Sequence, residues 1–113
     1  MTEIFAHRGA SGYAPENTLE AFRLAMEQGA DGIELDVHLT KDGEVVVIHD
    51  ETLNRTSDGQ GKVRDYTLEE LKKFSFHNHI EKYKGVQIPT LKEVLDLVEN
   101  SSMKVNIELK TKP

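Results

Sequence analysis

The chain has 113 residues, the length of one domain with a modest core, and it carries 37% hydrophobic residues and a net charge of −6. It contains no cysteine, which excludes disulfides and thiolate metal sites, so a bound metal would need oxygen or imidazole ligands. The negative charge argues against a nucleic-acid or anionic-membrane partner. No apolar run is long enough to span a bilayer and no signal peptide precedes His7, so we expect a cytoplasmic protein.

The first predicted elements are a strand and a helix. The apolar residues 4–6 form a short strand that ends in His7-Arg8-Gly9. After a loop, an apolar stripe at helical spacing predicts a helix over about residues 18–28. Asn17, with Glu20 three residues on, resembles a capping box, so we expect it to cap this helix; the alternative is that it holds a loop at the site.

A hairpin is predicted next. Residues 32–40 alternate strictly between apolar and polar side chains, as a strand does. A tight turn around Asp42 and a strand over residues 45–48 follow, the latter ending at His49. In such a hairpin Glu34 would lie opposite or nearly opposite His49.

The remaining pattern is an insertion, a helix and a strand. Residues 50–89 are irregular, and we interpret them as an insertion or flap within a single domain, 1–113. Inside it, a capping box at Thr67 opens a short helix that runs through Phe74. A further capping signal at Thr90 opens a helix through about Glu99, and a strand over residues 103–109 follows.

This order of elements predicts an α/β fold. Crossover helices between strands indicate a parallel sheet, and polar residues at the carboxyl ends of its strands are typical of a TIM barrel. A barrel of eight strands needs about 250 residues, so we expect the N-terminal portion of a TIM (β/α)8 barrel with a small insertion after strand 2. Its last strand would have an open edge, and the apolar helix faces would need a closed sheet to cover them, which predicts self-association through open sheet edges.

Three carboxylates indicate a metal site. Glu34 and Asp36 lie on one strand face, about 6–7 Å apart, and repel each other unless a cation lies between them. The alternative, a solvated strand face, suits a parallel sheet poorly because both of its faces are covered. With Glu108 as third ligand, the set favours one hard divalent cation, Mg²⁺ or Ca²⁺.

The basic residues complete the predicted site. His7 and His49 both end apolar runs, and imidazoles there can act as general acid and base. Arg8 offers a bidentate fork to phosphate oxygens, the alternative being a surface salt bridge, and Lys110 shares the face of Glu108. Three further histidines are interpreted as spectators: His38, His77 and His79. This set of two histidines, three carboxylates, one arginine and one lysine fits metal-assisted attack at a phosphoester.

Taken together, these segments resemble the glycerophosphodiester phosphodiesterase family. The matching stretches are His7-Arg8-Gly9, Pro15-Glu16-Asn17-Thr18, Gly32 to Gly43, the run ending in His49-Asp50, Leu53-Asn54-Arg55-Thr56, and Asn106 to Lys110. They cover nearly the whole chain. The resemblance implies a TIM barrel, a metal held by Glu34, Asp36 and Glu108, acid/base roles for His7 and His49, and phosphate-contacting or site-organising roles for Arg8 and Lys110.

The implied reaction is hydrolysis of a small-molecule glycerophosphodiester to glycerol 3-phosphate and an alcohol. The resemblance leaves open which histidine is the acid and which the base. Family members carry a second barrel half that this chain lacks. The alternative function is therefore a truncated, non-catalytic half-barrel that binds divalent metal and phosphate without turnover.

Overall fold

The computed structural model describes residues 3–109, and it forms a four-stranded sheet against which the two longer helices pack. The strands are β1 (Phe5–His7), β2 (Gly32–Leu39), β3 (Val45–Val47) and β4 (Lys104–Leu109), and the helices are α1 (Leu19–Glu27), α2 (Leu68–Leu71) and α3 (Leu91–Val98). Two 3₁₀ turns, Val63–Asp65 and Glu81–Tyr83, lie between β3 and α3 and were not predicted from the sequence.

Strand β2 is the centre of the sheet. It pairs in parallel with β1 and β4, and antiparallel with β3 through the predicted hairpin. Residues 32–34 pair with both β1 and β4, whereas Val37 pairs with both β3 and β4. Strands β1 and β3 therefore share one edge of β2, and β4 occupies the other.

The shared edge brings two distant segments together. Strand β1 runs along β2 and β3 runs against it, so their carboxyl ends point at each other. The Arg8 amide donates to the Glu34 carbonyl at 2.7 Å, and the Ile48 amide donates to the Asp36 carbonyl at 2.9 Å. Continuing the β2–β3 register places His49 opposite Leu35, next to the predicted Glu34.

Threonines cap all three helices, which corrects one prediction. The N-cap of α1 is Thr18, whose hydroxyl accepts from the Ala21 amide, so the predicted capping role of Asn17 is wrong. Asn17 adopts a left-handed backbone with φ of 57°, which a helix N-cap does not use. The predicted capping boxes at Thr67 and Thr90 are both present, although α2 ends at Leu71 rather than Phe74. Within residues 3–109, no helix has the length and apolar character needed to cross a membrane.

The first hydrophobic core lies between β2 and the two longer helices. It is formed by Phe22 and Ala25 of α1, alternate residues of β2, and Val94 and Val98 of α3. Phe22 and Val94 are fully buried. The open sheet thus covers the central residues of these helix faces, whereas Leu95 of α3 is 41% exposed.

A second core belongs to the segment between β3 and α3. Its buried members are Val46, Ile48, Leu53, Val63, Leu71, Phe76 and Ile88. Strand β3 joins the two cores, since Val47 faces the first and Val46 the second. Residues 50–89 thus pack around their own apolar centre, which is anchored to the sheet through one strand.

Strand β4 is the most exposed part of the sheet. Ile107 is 42% exposed and Leu109 is 62% exposed, although both lie on a strand. Among the described residues β4 pairs only with β2. The predicted open edge is thus present within the part of the chain that the structure describes.

Candidate active site

Neighbouring strands place four predicted site residues on one surface. In the strand registers His7 is beside Glu34, and Asp36 is beside Glu108. Residues in register on parallel strands project to the same face of the sheet. A small depression of about 30 Å³ is lined by His7, Glu34, Leu35, Asp36, Asn106 and Glu108.

His7 and Glu34 are in contact at the exposed side of this depression. Nδ1 of His7 lies 3.2 Å from Oε2 of Glu34, and their side chains are 65% and 39% exposed. A contact this exposed contributes little stability and is easily exchanged for another partner. Both side chains are therefore available to a ligand.

Asp36 is the buried carboxylate of the group. It is 4% exposed, and Oδ2 accepts a hydrogen bond of 3.3 Å from Nδ2 of Asn17. Nε of Arg8 lies 3.6 Å from the same oxygen. Asn17 thus holds the loop after β1 against Asp36, a candidate site carboxylate, which agrees with the alternative predicted for it.

Arg8 and Asn17 share an unusual backbone conformation. Their φ angles are 58° and 57°, in the left-handed region that side-chain-bearing residues seldom adopt. The Asn17 amide donates to the Arg8 carbonyl at 2.8 Å, which ties the two ends of the loop together. Backbone strain of this kind is typical of functional sites, where surrounding contacts hold it in place.

A buried glutamate and an arginine of the inserted segment extend the site. Glu16 contacts Nη1 of Arg8 at 3.3 Å and accepts two hydrogen bonds from Arg55, at 2.6 and 3.0 Å. The Arg55 guanidinium also donates to Asp50 at 2.9 and 3.1 Å. Arg55 therefore bridges the loop after β1 and the segment after β3. The hydrogen bonds to Glu16 and then Asp50 raise the pKa of its guanidinium above the ordinary value.

His49 is fixed by its neighbour in sequence. Nδ1 of His49 lies 2.8 Å from Oδ1 of Asp50. Hydrogen bonds from Arg55 and from His49 lower the pKa of Asp50 from 3.8 to about 2, against the opposing effect of partial burial. Asp50 is thus a carboxylate at neutral pH and accepts from the imidazole.

The three histidines interpreted as spectators lie in different surroundings. His38 is buried on β2, with Nε2 2.9 Å from the carbonyl oxygen of His49, so it touches the backbone of a site residue. His77 pairs with Ser75 in the inserted segment at 2.7 Å. His79 has a left-handed backbone in the same segment. Their spectator status stays a prediction.

The donor set fits a hard cation in chemical type. Glu34, Asp36 and Glu108 are carboxylates on one face, and they line one depression. In residues 3–109, however, no three acidic or histidine side chains are grouped closely enough to hold a metal ion. Glu34 contacts His7 instead, and Asp36 contacts Arg8 and Asn17. The convergence of the three carboxylates on one cation stays a prediction, and Lys110 lies outside the described residues.

Sequence reasoning missed three members of the charged network. Asp50 directly follows His49, and an acidic neighbour of a candidate acid/base histidine was the available signal. Glu16 and Arg55 lie in two stretches that carry the family resemblance, but their contact, between residues 39 apart in the chain, depends on how the segment between them folds.

Comparison with known proteins identifies close relatives. Residues 7–113 match the model of the glycerophosphoryl diester phosphodiesterase family. The chain is 57% identical over 111 residues to a glycerophosphodiester phosphodiesterase of Caldanaerobacter subterraneus. It is 59% identical over 112 residues to one of Bacillus altitudinis. Each alignment covers 97% of this chain and 46% of the relative, so the chain spans about half the length of these relatives.

Solved structures agree with these relatives. A glycerophosphodiester phosphodiesterase from Agrobacterium tumefaciens superposes with a TM-score of 0.92 at 44% identity, over 96% of this chain and 47% of that one. An Oleispira antarctica phosphodiesterase, in complex with the product sn-glycerol-3-phosphate, superposes with a TM-score of 0.93 at 41% identity. That match covers 99% of this chain and 46% of the other.

These matches confirm the predicted fold. The family has a TIM barrel, and the sheet described above, with its parallel strands and open edge, is part of such a barrel. The match extends over almost the whole chain and includes every motif on which the resemblance was based. The chain belongs to the glycerophosphoryl diester phosphodiesterase family.

Proposed function

We propose that the barrel of which this chain forms part hydrolyses glycerophosphodiesters to glycerol 3-phosphate and an alcohol, with one divalent cation, Mg²⁺ or Ca²⁺. The observation that carries the proposal is the shared edge of β2. Along it the carboxyl ends of β1 and β3 meet, so that His7 and the His49 segment both lie beside the part of β2 that carries Glu34 and Asp36, and this proximity supports the proposal. The related phosphodiesterase with bound sn-glycerol-3-phosphate supports the same product.

The two histidines transfer protons in this proposal. One removes the proton of the attacking hydroxyl or water, and the other gives a proton to the oxygen of the departing alcohol. His7 is held by an exposed contact with Glu34, whereas His49 is held at Nδ1 by Asp50. Both rings can present their other nitrogen, Nε2, to a reacting oxygen.

Arg8 and Lys110 bind the phosphate oxygens in this proposal. Nε of Arg8 is buried and has no hydrogen-bond partner among the described residues. The Nε group lies 3.6 Å from Oδ2 of Asp36, and the planar N–H donors of the Arg8 guanidinium suit phosphate oxygens as acceptors, while its charge stabilises negative charge that builds up during the reaction.

The carboxylates Glu34, Asp36 and Glu108 would hold the cation. When bound, a divalent cation polarises a phosphoryl oxygen and lowers the pKa of a hydroxyl or water nucleophile. Asn17 holds Asp36 in place for this role through its 3.3 Å hydrogen bond.

A chimeric barrel tests the proposal directly. Residues 1–113 would replace the matching part of the Caldanaerobacter subterraneus relative, which is 57% identical over 111 residues. We expect the chimera to release glycerol 3-phosphate from a glycerophosphodiester in the presence of Mg²⁺ or Ca²⁺. We expect His7→Ala and His49→Ala each to lower kcat by about 10²–10⁴-fold. A folded chimera that binds the cation but gives no product beside an active parent would contradict the proposal.

A change of leaving group assigns the two histidine roles. A nitrophenyl ester of glycerol phosphate needs little proton donation to its leaving group. The variant that lacks the general acid should recover most of its rate on this ester, while the variant that lacks the base should not. Equal losses for both variants on both substrates would contradict the division into acid and base.

A further inference from the structure

We infer that Arg55, contributed by the inserted segment, is a positioning residue that fixes the ring of His49 through Asp50 and the side chain of Arg8 through Glu16. Its relevance to turnover rests on the proposed function. The positioning itself can be measured without turnover.

The contacts form one unbranched path of alternating charge. It runs from Asp36 to Arg8, Glu16, Arg55 and Asp50, and it ends at the ring of His49. One end is a candidate metal carboxylate and the other a candidate acid/base histidine. Arg55 and Asp50 both come from the inserted segment, residues 50–89, and Arg55 is the member that reaches back to Glu16 in the loop after β1.

The geometry at Arg55 is that of a rigid bridge. Its guanidinium makes four hydrogen bonds, of 2.6 to 3.1 Å, to the carboxylates of Glu16 and Asp50. Paired bonds between a planar guanidinium and a carboxylate fix direction as well as distance. Glu16 is 8% exposed at its side chain, so its position is set by the surrounding protein, and Arg55 is anchored on that fixed point.

Asp50 transmits this positioning to His49. A carboxylate held on one side by Arg55 can accept from only one of the two imidazole nitrogens, and that nitrogen is Nδ1. Neutral His49 then carries its proton on Nδ1 and its lone pair on Nε2. Without Arg55, the Asp50 side chain can rotate away and the ring can adopt the Nε2–H form that free histidine favours in water.

The ring tautomer is the measurement that tests this inference. Long-range ¹H–¹⁵N spectra of the ¹⁵N-labelled chain report the proton position in each neutral imidazole. His49 is assigned by its absence in a His49→Gln sample. We expect the Nδ1–H form in the unmodified chain. In Arg55→Met we expect the ratio of the Nδ1–H to the Nε2–H form to fall by roughly tenfold, the scale of losing one charge-assisted hydrogen bond.

Lys72→Met is the matched control. Lys72 also lies in the inserted segment and ties it to α3, through bonds to Glu93 at 2.6 Å and to the Ile88 carbonyl at 2.7 Å, but it contacts no candidate site residue. If Arg55 acted only by stabilising the segment, both variants would change the His49 tautomer alike. We expect Lys72→Met to leave it unchanged.

Two further variants keep the result decisive. If Arg55→Met does not fold, Asp50→Asn preserves the shape of Asp50 and removes its charge, and it should give the same loss of the Nδ1–H form. Arg55→Lys retains the charge without the planar fork and should restore part of the tautomer ratio. An unchanged His49 tautomer in the folded Arg55→Met or Asp50→Asn chain, or an equal change in Lys72→Met, would overturn the inference.

Turnover of the chimera links the positioning to the reaction. If the proposed function holds, Arg55→Met should lower kcat with little change in KM, because it alters the ring that moves a proton. A changed tautomer in a chimera that never turns over would contradict the proposed function and leave the positioning role supported. An unchanged tautomer in an active chimera would contradict the positioning role alone.

Discussion

The inserted segment and the last strand bury their apolar residues very differently. The segment closes around a core in which Leu53 and Leu71 are fully inaccessible to solvent. On β4, by contrast, Ile107 and Leu109 are 42% and 62% exposed. The apolar residues of the segment are therefore covered by other residues of the described range. Within that range β4 pairs on one side only, whereas a barrel strand normally has a neighbour on both sides. The candidate site lies between these regions and takes residues from both sides.

Core truncation should show the largest difference between the two regions. Leu53→Ala removes a fully buried side chain and should lower the free energy of unfolding by about 2–5 kcal/mol. Ile107→Ala removes a half-exposed side chain and should cost much less. Urea denaturation of both variants would measure the difference. Equal losses would mean that β4 is as well packed as the inserted segment.

The loop after β1 should also be sensitive to substitution, although it lies outside the core of the inserted segment. Gly9 has φ of 78°, and a methyl group there would lie 2.8 Å from the Ala21 backbone carbon. Gly9→Ala should therefore destabilise the chain by about 1–3 kcal/mol. Gly12→Ala is the control, since nothing lies within 4 Å of a methyl group there. The idea of a rigid loop fails if the two variants unfold at the same urea concentration.

Self-association should depend on the exposed strand. Pairing of two open edges would cover Ile107 and Leu109, so Ile107→Lys should shift sedimenting species towards monomer, because edge lysines oppose strand pairing. Leu95→Lys is a matched change, since Leu95 of α3 is 41% exposed but lies on a helix. Monomeric behaviour of the unmodified chain over a wide concentration range would contradict this prediction.

The smallest effect should appear in acid. The pKa of Asp50 is depressed from 3.8 to about 2 in the folded chain, so its ionised form stabilises the fold above pH 3.8. This contribution should decline as the pH falls from 3.8 through about 2, because below that range the Asp50 carboxyl is protonated in both the folded and the unfolded chain. Asp50→Asn should lack that part of the pH dependence. Urea denaturation across this range measures the free energy of unfolding at each pH. An equally steep pH dependence in both chains would argue against the Arg55–Asp50 interaction.

Much of this organisation follows from local sequence patterns. Alternation over residues 32–40, the turn at Asp42 and the capping boxes at Thr67 and Thr90 each reflect short-range chemistry. Each element begins where it was expected, although α2 ends three residues before the predicted Phe74. The cap at Asn17 failed because the adjacent Thr18 competes for the same role with a more suitable backbone. Tertiary contact with Asp36, rather than local propensity, decides the position of Asn17.

The candidate site likewise combines residues that the local sequence pattern predicts with contacts that only the fold produces. His7, Glu34 and Asp36 could be placed together because strand alternation and parallel pairing fix which residues share a face. The Glu16–Arg55 contact could not, since it depends on how an irregular segment folds over its own core. Candidate site residues at strand ends can therefore be identified from a single sequence. The contacts that a loop residue makes with them can be found only from the three-dimensional structure.

In the proposed site the carboxylates hold the cation and the histidines transfer protons. Measuring Mg²⁺ or Ca²⁺ affinity and turnover in parallel for His49→Ala and Glu34→Gln in the chimera separates these two roles. His49→Ala should lose about 10²–10⁴-fold in kcat with its cation affinity retained, and Glu34→Gln should lose cation affinity first and turnover with it. Loss of cation affinity in parallel with turnover in His49→Ala would make this histidine a ligand and contradict the account.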